Sequence, residues 1–184
     1  MKVKDIILSC LFTVLMMVSV VCSAQISVED LNIGGIYYGM PMEDVVSQYG
    51  QPAEVIQETP KSVKYRFKLN ESDVFVSFDK NALVKDVSVS NSGVSTVAGA
   101  MVGMSVEDVI SIYGTPTTDE VLPIGYGEGI SNARFLTYAC NEKEIPFPYG
   151  VMKRVSFLRF RVSSDNIISS MVFYTDERYI ENPQ

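Results

Sequence analysis

The sequence of 184 residues contains no histidine. Histidine is the commonest general base and the commonest metal ligand in enzymes. A Ser–His–Asp triad, a Cys–His pair and a histidine-bound metal are therefore excluded within one chain. We predict no catalytic residue, no metal site and no cofactor. An enzyme that uses only carboxylates or Cys140 is the alternative.

Cysteine is also scarce, at three residues, and two of these lie in the first 24 residues. If that segment is removed, Cys140 is alone and no intramolecular disulfide can form. We expect Cys140 to be a half-buried strand residue that behaves as a small hydrophobe. The alternatives are a reactive thiol and a link between two chains.

Positive charge is in short supply, because 15 basic residues face 22 acidic ones and the net charge is −7. Such a chain repels nucleic acid and anionic lipid over most of its surface. We therefore predict no nucleic-acid partner.

The first 24 residues have the pattern of a secretory signal. Two lysines precede the apolar run Ile6–Val21, and small residues follow at Cys22–Ala24. The run has sixteen residues, whereas a spanning helix needs about 20. We predict cleavage and export to the periplasm or the medium. An uncleaved anchor and a lipidated Cys22 are the alternatives. After cleavage, membrane contact is expected only if Cys22 is lipidated, and Val21 is large for the residue before a lipidated cysteine.

One segment occurs twice. Residues 39–52 read GMPMEDVVSQYGQP, residues 103–116 read GMSVEDVISIYGTP, and nine of the fourteen positions are identical. Both copies have apolar residues at the i, i+3, i+4, i+7 spacing of one helix face. Acidic residues in the first turn oppose the helix dipole, and Gly-x-Pro ends each segment. The pattern predicts two short amphipathic helices.

Strand-like alternation follows each copy. We predict an α+β fold in which two tandem helix-helix-three(or four)-strand units form one antiparallel sheet with helices on one face. The first helix of each unit is expected at Val28–Ile36 and Val94–Val102. The strands are expected at 53–57, 63–69, 74–78, 83–90, 120–124, 134–140, 154–162 and 167–174. The segments are then a signal peptide at 1–24, a first unit at 25–90, a linker at 91–95, a second unit at 96–176 and a flexible tail at 177–184.

The repeated Gly-Met-x-x-Glu-Asp-Val…Tyr-Gly-x-Pro pattern, with the strands after it, resembles the SmpA/OmlA and β-lactamase-inhibitor-protein-like (BLIP-like) superfamily. Residues 39–52 with 63–90, and 103–116 with 133–174, carry the resemblance. It implies small envelope lipoproteins that help assemble outer-membrane barrels, or tandem-repeat secreted inhibitors with a concave sheet. It carries the fold rather than a specific activity.

The sheet face away from the helices is the first candidate surface. Alternation places Lys64 and Arg66 on it, and Phe75, Phe157 and Arg159 should share it. Arginine and aromatic residues are enriched at protein interfaces. The alternative is that these cations only keep an exposed face soluble.

The second candidate is an insertion at Asn141–Met152, expected as a rigid loop that shows Phe147 and Tyr149. Apolar residues are unusual at a loop tip. The loop would contact a partner or fold back on the core.

We therefore predict a non-catalytic exported protein-binding module of the bacterial envelope, whose partner is another exported or envelope protein. The open sheet face and the 141–152 loop would engage that partner. The alternative is an outer-membrane assembly or maintenance factor that resembles the SmpA/OmlA lipoproteins.

Overall fold

The structure is a computed structural model that describes residues 26–125, 131–147 and 150–181. Side chains at 141, 142, 145, 147, 150 and 178–181 are not part of the description. The predicted signal peptide at 1–24 lies outside the described residues. No helix within those ranges is long and apolar enough to cross a membrane.

Strands dominate the described part of the chain, which holds two α-helices and ten strands. The helices are α1 (Met42–Tyr49) and α2 (Val106–Tyr113). The strands are β1 (Asn32–Ile33), β2 (Ile36–Tyr37), β3 (Glu54–Thr59), β4 (Ser62–Leu69), β5 (Ser72–Asp79), β6 (Val84–Val89), β7 (Thr118–Ile124), β8 (Ser131–Phe147), β9 (Gly150–Val162) and β10 (Ile168–Glu181).

Eight of these strands form one antiparallel sheet in the order β3-β4-β5-β6-β10-β9-β8-β7. Each half is a four-stranded meander, and the halves meet where β6 pairs with β10. The remaining two strands, β1 and β2, form a small hairpin of their own.

Both helices lie where the duplicated segment predicts them. Ser105 caps α2 by accepting from the Asp108 backbone N–H, while the Asp108 carboxylate accepts from Ser105. Pro41 precedes α1 in place of a capping side chain, which suits a helix start because proline has no N–H to satisfy. Gly50 and Gly114 end the two helices at positive φ.

The duplicated segment also makes equivalent hydrogen bonds in its two copies. Gly39 N–H donates to the Val84 carbonyl, and Val84 N–H donates to Met40. In the second copy Gly103 and Met104 make the same pair of bonds with Ile168. Gly103 has a φ of +99°, which an L side chain rarely adopts. The Gly-Met pair therefore holds the start of α1 against the first residue of β6 and the start of α2 against the first residue of β10.

The core lies between the helices and one face of the sheet. Val45 of α1 and Val109 of α2 are fully buried, together with sheet residues such as Phe78, Phe160 and Phe173. The helices are too short to be stable alone, so this apolar contact stabilises them together with the Gly-Met hydrogen bonds.

The predicted helices at Val28–Ile36 and Val94–Val102 are wrong, and the fold is mostly β rather than α+β with helix-helix-strand units. Only Val28–Asp30 is helical, as one 3-10 turn. Gly34 and Gly35 then turn the chain at positive φ, which a right-handed helix cannot include. In the second segment Thr96 pairs with Ala100 across a tight turn.

The expected loop at Asn141–Met152 is also wrong. β8 and β9 continue as a paired ribbon from Lys143↔Arg154 to Phe147↔Gly150, and β10 extends the ribbon to Glu181. We call residues 143–147, 150–154 and 177–181 the ribbon. The tail predicted at 177–184 is therefore strand as far as Glu181, and residues 182–184 lie outside the description.

Candidate functional site

The sheet face opposite the helices, which we call the open face, carries the five predicted residues of β4, β5 and β9. Their neighbours in the strands show which face they lie on, because the adjacent side chains of Phe67, Val76, Leu158 and Phe160 are 0% exposed in the core. Successive side chains of a strand point to opposite faces. Lys64, Arg66, Phe75, Phe157 and Arg159 therefore share the open face, as the alternation predicts.

One row of paired residues crosses all eight strands on this face. It runs Glu54–Arg66–Phe75–Ser88–Val172–Arg159–Thr137–Thr118. Neighbouring strands are about 4.8 Å apart, so Phe75 and Arg159 stand roughly 14 Å apart in this row. Between them lie Ser88 and Val172, whose side chains are shorter.

On the β3–β6 side, the predicted cations surround Phe75. Lys64 Nζ lies 5.8 Å from the centre of the Phe75 ring and 4.0 Å from Asp86. Arg66 Nη2 lies 2.7 Å from Glu54. We call Glu54, Lys64, Arg66, Lys68, Asp73, Phe75 and Asp86 the Phe75 cluster.

Carboxylates neutralise the cations of the Phe75 cluster. Lys68 Nζ lies 2.9 Å from Asp73, and the Lys68 hydrogen bond is the main reason why the pKa of Asp73 is lowered. Arg66 Nε is 3.7 Å from the same carboxylate. Half-exposed ion pairs such as these contribute little stability, and they leave the Phe75 cluster with little net charge.

On the β8–β10 side, Arg159 lies among aromatic rings. Its Cζ is 5.4 Å from the centre of the Phe135 ring and 5.2 Å from that of Tyr174. The rings of Phe157 and Tyr174 stack with centres 5.3 Å apart. Arg159 Nε donates to Thr137 Oγ1 at 3.0 Å. We call Phe135, Thr137, Phe157, Arg159 and Tyr174 the Arg159 cluster.

Sequence reasoning missed three members of the Arg159 cluster, namely Phe135, Thr137 and Tyr174. The signal was present for two of them, because alternation within 134–140 and 167–174 places Phe135 and Tyr174 on the open face. What the sequence does not show is the strand order β10-β9-β8, which brings both rings to Arg159.

The side chains of Phe147 and Tyr149, the remaining two predicted site residues, lie outside the description. Phe147 ends β8 at the tip of the ribbon, and its side chain is outside the description. Tyr149 lies outside the described residues altogether. Their predicted contact with a partner stays a prediction.

A separate cleft of about 360 Å³ lies beside the end of α1, between the β1–β2 turn and the β4–β5 turn. Tyr49 lines it, and Tyr49 Oη donates to the Gly34 carbonyl at 2.9 Å. Among the predicted site residues whose side chains the structure describes, none lines this cleft.

Cys140 is buried at 1% exposure in the core. Burial raises the pKa of its thiol to about 11, which disfavours the reactive thiolate. This agrees with the expected small hydrophobe, although the residue is fully rather than half buried. Among the described residues no group of three or more Cys, Asp or Glu side chains is arranged to hold a metal ion.

No protein-family model matches this sequence. No curated protein matches it either.

Solved structures that match this chain include the following three. A cysteine-rich secretory protein from Staphylococcus aureus is 14% identical with a TM-score of 0.51, over 83% of this chain and 49% of its own length. An extracellular protein from Bacillus anthracis that contains an SCP domain is 10% identical with a TM-score of 0.44, over 88% and 53%. A DUF4309 family protein from Bacillus subtilis is 13% identical with a TM-score of 0.42, over 77% and 83%.

The chain thus spans about half the length of the first two of these proteins. At such identity the likeness shows the fold alone. These neighbours do not support the expected resemblance to the SmpA/OmlA and BLIP-like superfamily, and that prediction is wrong. The short Gly-Met…Tyr-Gly-x-Pro pattern is explained by the start, burial and end of a helix, so it does not identify a family.

Proposed function

We propose that this chain is a non-catalytic, exported protein-binding module whose open face is the contact surface. The observation that carries the proposal is the Arg159 cluster, in which three aromatic rings and an arginine stand half-buried on the uncovered side of the sheet. Binding hot spots are enriched in tyrosine, tryptophan and arginine.

Rigidity of the cluster supports the proposal. The cluster lies on β8, β9 and β10, which are neighbours in the sheet and are fixed from below by buried residues such as Leu136, Leu158 and Phe173. Side chains held in this way lose little conformational freedom when a partner binds.

Export is supported by the signal-like sequence at 1–24. The Staphylococcus aureus neighbour is described as a secretory protein, which is consistent with export of this chain. The partner would then be another exported protein. The assembly-factor alternative depends on the SmpA/OmlA resemblance, and it loses its support with that resemblance.

Quantitative pull-down from envelope extract tests the open face. The Phe157→Ala/Arg159→Ala variant should lose its specific partner, because truncation of a hot-spot residue costs about 2 kcal/mol or more of binding energy. Tyr37→Ala is the matched control, since Tyr37 is a 44% exposed aromatic outside the large sheet. If both variants retain the same proteins as the unmodified chain, the open face is not the contact surface.

The ribbon tip is tested separately with a Phe147→Ala/Tyr149→Ala variant. We expect the tip to add contacts to the same partner, so that this variant retains less of it. An unchanged amount would remove the tip from the proposal and leave the open face in place.

A further inference from the structure

The guanidinium of Arg159 is held firmly on the open face. Rings lie at 5.4 Å and 5.2 Å from its Cζ, one from β8 and one from β10, and Nε is fixed by the hydrogen bond to Thr137. Arginine stacked on aromatic rings keeps its orientation, and its planar fork of N–H donors stays available at the edge of the plane.

Charge distinguishes Arg159 from the cations of the Phe75 cluster. Lys64, Arg66 and Lys68 each have a carboxylate within 4.0 Å. No carboxylate of the described residues lies within that distance of Arg159, whose contacts are the two rings and Thr137. This is notable in a chain with 22 acidic residues and a net charge of −7. Among the described residues, Nε is the one Arg159 side-chain atom with a hydrogen-bond partner, so the Nη donors are available to a bound group.

We propose that Arg159 binds a carboxylate of the partner protein, and that this carboxylate belongs to an Asp or Glu side chain within an extended segment flanked by apolar residues. The inference rests on the proposed function, and it names the chemistry of the contact. Arginine and a carboxylate form two parallel N–H···O bonds in one plane. A planar carboxylate suits the edge of a guanidinium that lies between two rings.

The position of Arg159 in the sheet favours a carboxylate from a side chain of the partner over the carboxylate at a chain terminus. Along the row, the face continues on both sides of Arg159, to Val172 and Phe75 in one direction and to Thr137 and Thr118 in the other. A segment that passes over the row would contact Val172 and Phe75 while its carboxylate meets Arg159. A terminus would leave one side of the row without contact.

The test uses capped pentapeptides as probes and the Arg159 Nε–H signal in nuclear magnetic resonance spectra as the readout. The first probe is phenylalanine-serine-glutamate-serine-phenylalanine, acetylated and amidated at its ends, so that an extended chain presents both rings and the carboxylate on one side. The second carries glutamine in place of glutamate. We expect the glutamate probe to shift the Arg159 signal and to bind about tenfold more tightly, since a charge-assisted hydrogen bond on a half-exposed surface is at the lower end of its range.

Two matched variants complete the test. Arg159→Lys keeps the charge but loses the fork, so the preference for glutamate should largely disappear. Arg161→Lys changes an exposed arginine two residues along the same strand and face, and the preference should persist. Equal affinity of the two probes for the unmodified chain, or equal losses in both variants, would overturn the inference.

Further probes separate the sources of the anion. A dipeptide with a free terminal carboxylate that binds more tightly than the glutamate probe would overturn the assignment to a side chain. Inorganic phosphate that shifts the Arg159 signal more than acetate does would overturn the assignment to a carboxylate. If both pentapeptides shift the Phe157 and Tyr174 ring signals equally, binding to the open face stands and only the carboxylate inference fails. If the glutamate preference is found but open-face variants retain every partner, the proposed function fails instead.

Discussion

Replacement of Tyr113 by phenylalanine should measure how much the hydrogen bond from Tyr113 to Thr96, which ties the end of α2 to the segment before it, contributes to stability. Tyr113 is 5% exposed at the end of α2, and its Oη donates to Thr96 Oγ1 at 2.7 Å. The phenylalanine ring would keep the packing on Tyr138 and Phe160, whose ring centres lie at 5.3 Å and 5.8 Å. The substitution therefore isolates the hydroxyl.

The size of the stability loss depends on which hydrogen bonds remain after the Tyr113 hydroxyl is removed. Thr96 Oγ1 still accepts from the Ala100 N–H at 3.0 Å, so no oxygen is left without a donor. We expect a loss of about 1 kcal/mol in the free energy of unfolding, the net value of one buried hydrogen bond. Tyr49→Phe is the matched control in the first copy. Tyr49 is half-buried beside the cleft, where water can replace its bond to Gly34, and about 0.5 kcal/mol is expected.

Urea unfolding followed by far-ultraviolet circular dichroism provides the measurement, with an unchanged m-value as the check that both states are comparable. A Tyr113→Phe/Thr96→Val cycle should give a coupling energy of about 1 kcal/mol. The reasoning is refuted if Tyr113→Phe is as stable as the unmodified chain, or if Tyr49→Phe loses more.

Three further predictions concern the core and the backbone. Burial raises the pKa of Tyr113 and of Tyr138 from 10 to about 12, so the folded chain keeps protons that the unfolded chain releases, and the free energy of unfolding should fall as pH rises from about 10 to 12. Tyrosinate absorbance measures the ionisation, and urea midpoints at each pH measure the stability. Ionisation of the native chain near pH 10 without loss of stability would contradict this prediction. Cys140, with its pKa raised to about 11, should react with a disulfide reagent at least about a hundredfold more slowly in the native chain than in urea, and equal rates would contradict its burial. Gly103→Ala should cost about 1–3 kcal/mol through its positive φ alone, because an added Cβ meets nothing within 4 Å; an unchanged urea midpoint would show that this φ is not required.

The two α-helices are predictable from sequence because their signals are local. Start, apolar face and stop all lie within residues 41–50 and 105–114, and Ser105 and Gly114 act where the pattern places them. Most of the strands are predictable for the same reason, because alternation over five to eight residues needs no knowledge of the neighbours.

The false helices at 28–36 and 94–102 are settled by contacts between distant segments. Gly34 N–H donates to the Ser95 carbonyl at 2.8 Å, and Val97 N–H donates to Asn32. These backbone groups therefore bond the two segments to each other, and they are not available for hydrogen bonds within a helix. Apolar spacing alone cannot separate a short helix from such a pair of turns.

The ribbon was missed because Pro146 suggests a loop. Proline removes a hydrogen-bond donor, and within sheets it is tolerated at edges. β7 pairs only with residues 131–137 of β8, so Pro146 lies beyond β7 and β8 is an edge strand there. Whether β8 is an edge strand at Pro146 depends on how much shorter β7 is than β8, and the local sequence around Pro146 does not show this.

The candidate site was predictable in part. Alternation places Arg159 and Phe157 on the open face, whereas the rings on both sides of Arg159 come from strands paired across the fold. The ion pair of Arg66 with Glu54 likewise depends on β3 pairing with β4. The sequence could therefore predict which face carries cations, but not which of those cations would lack a carboxylate.

Photo-crosslinking from the open face tests the proposed function most directly. A photoreactive phenylalanine analogue replaces Phe157 in one variant and the exposed Tyr37 in another, and both are produced in cells that export the chain. Binding through the open face predicts a discrete adduct with one exported protein from position 157, which weakens when Arg159→Lys is added, and no such adduct from position 37. The same adducts from both positions, or none from position 157, would contradict the assignment of the open face as the partner-binding surface.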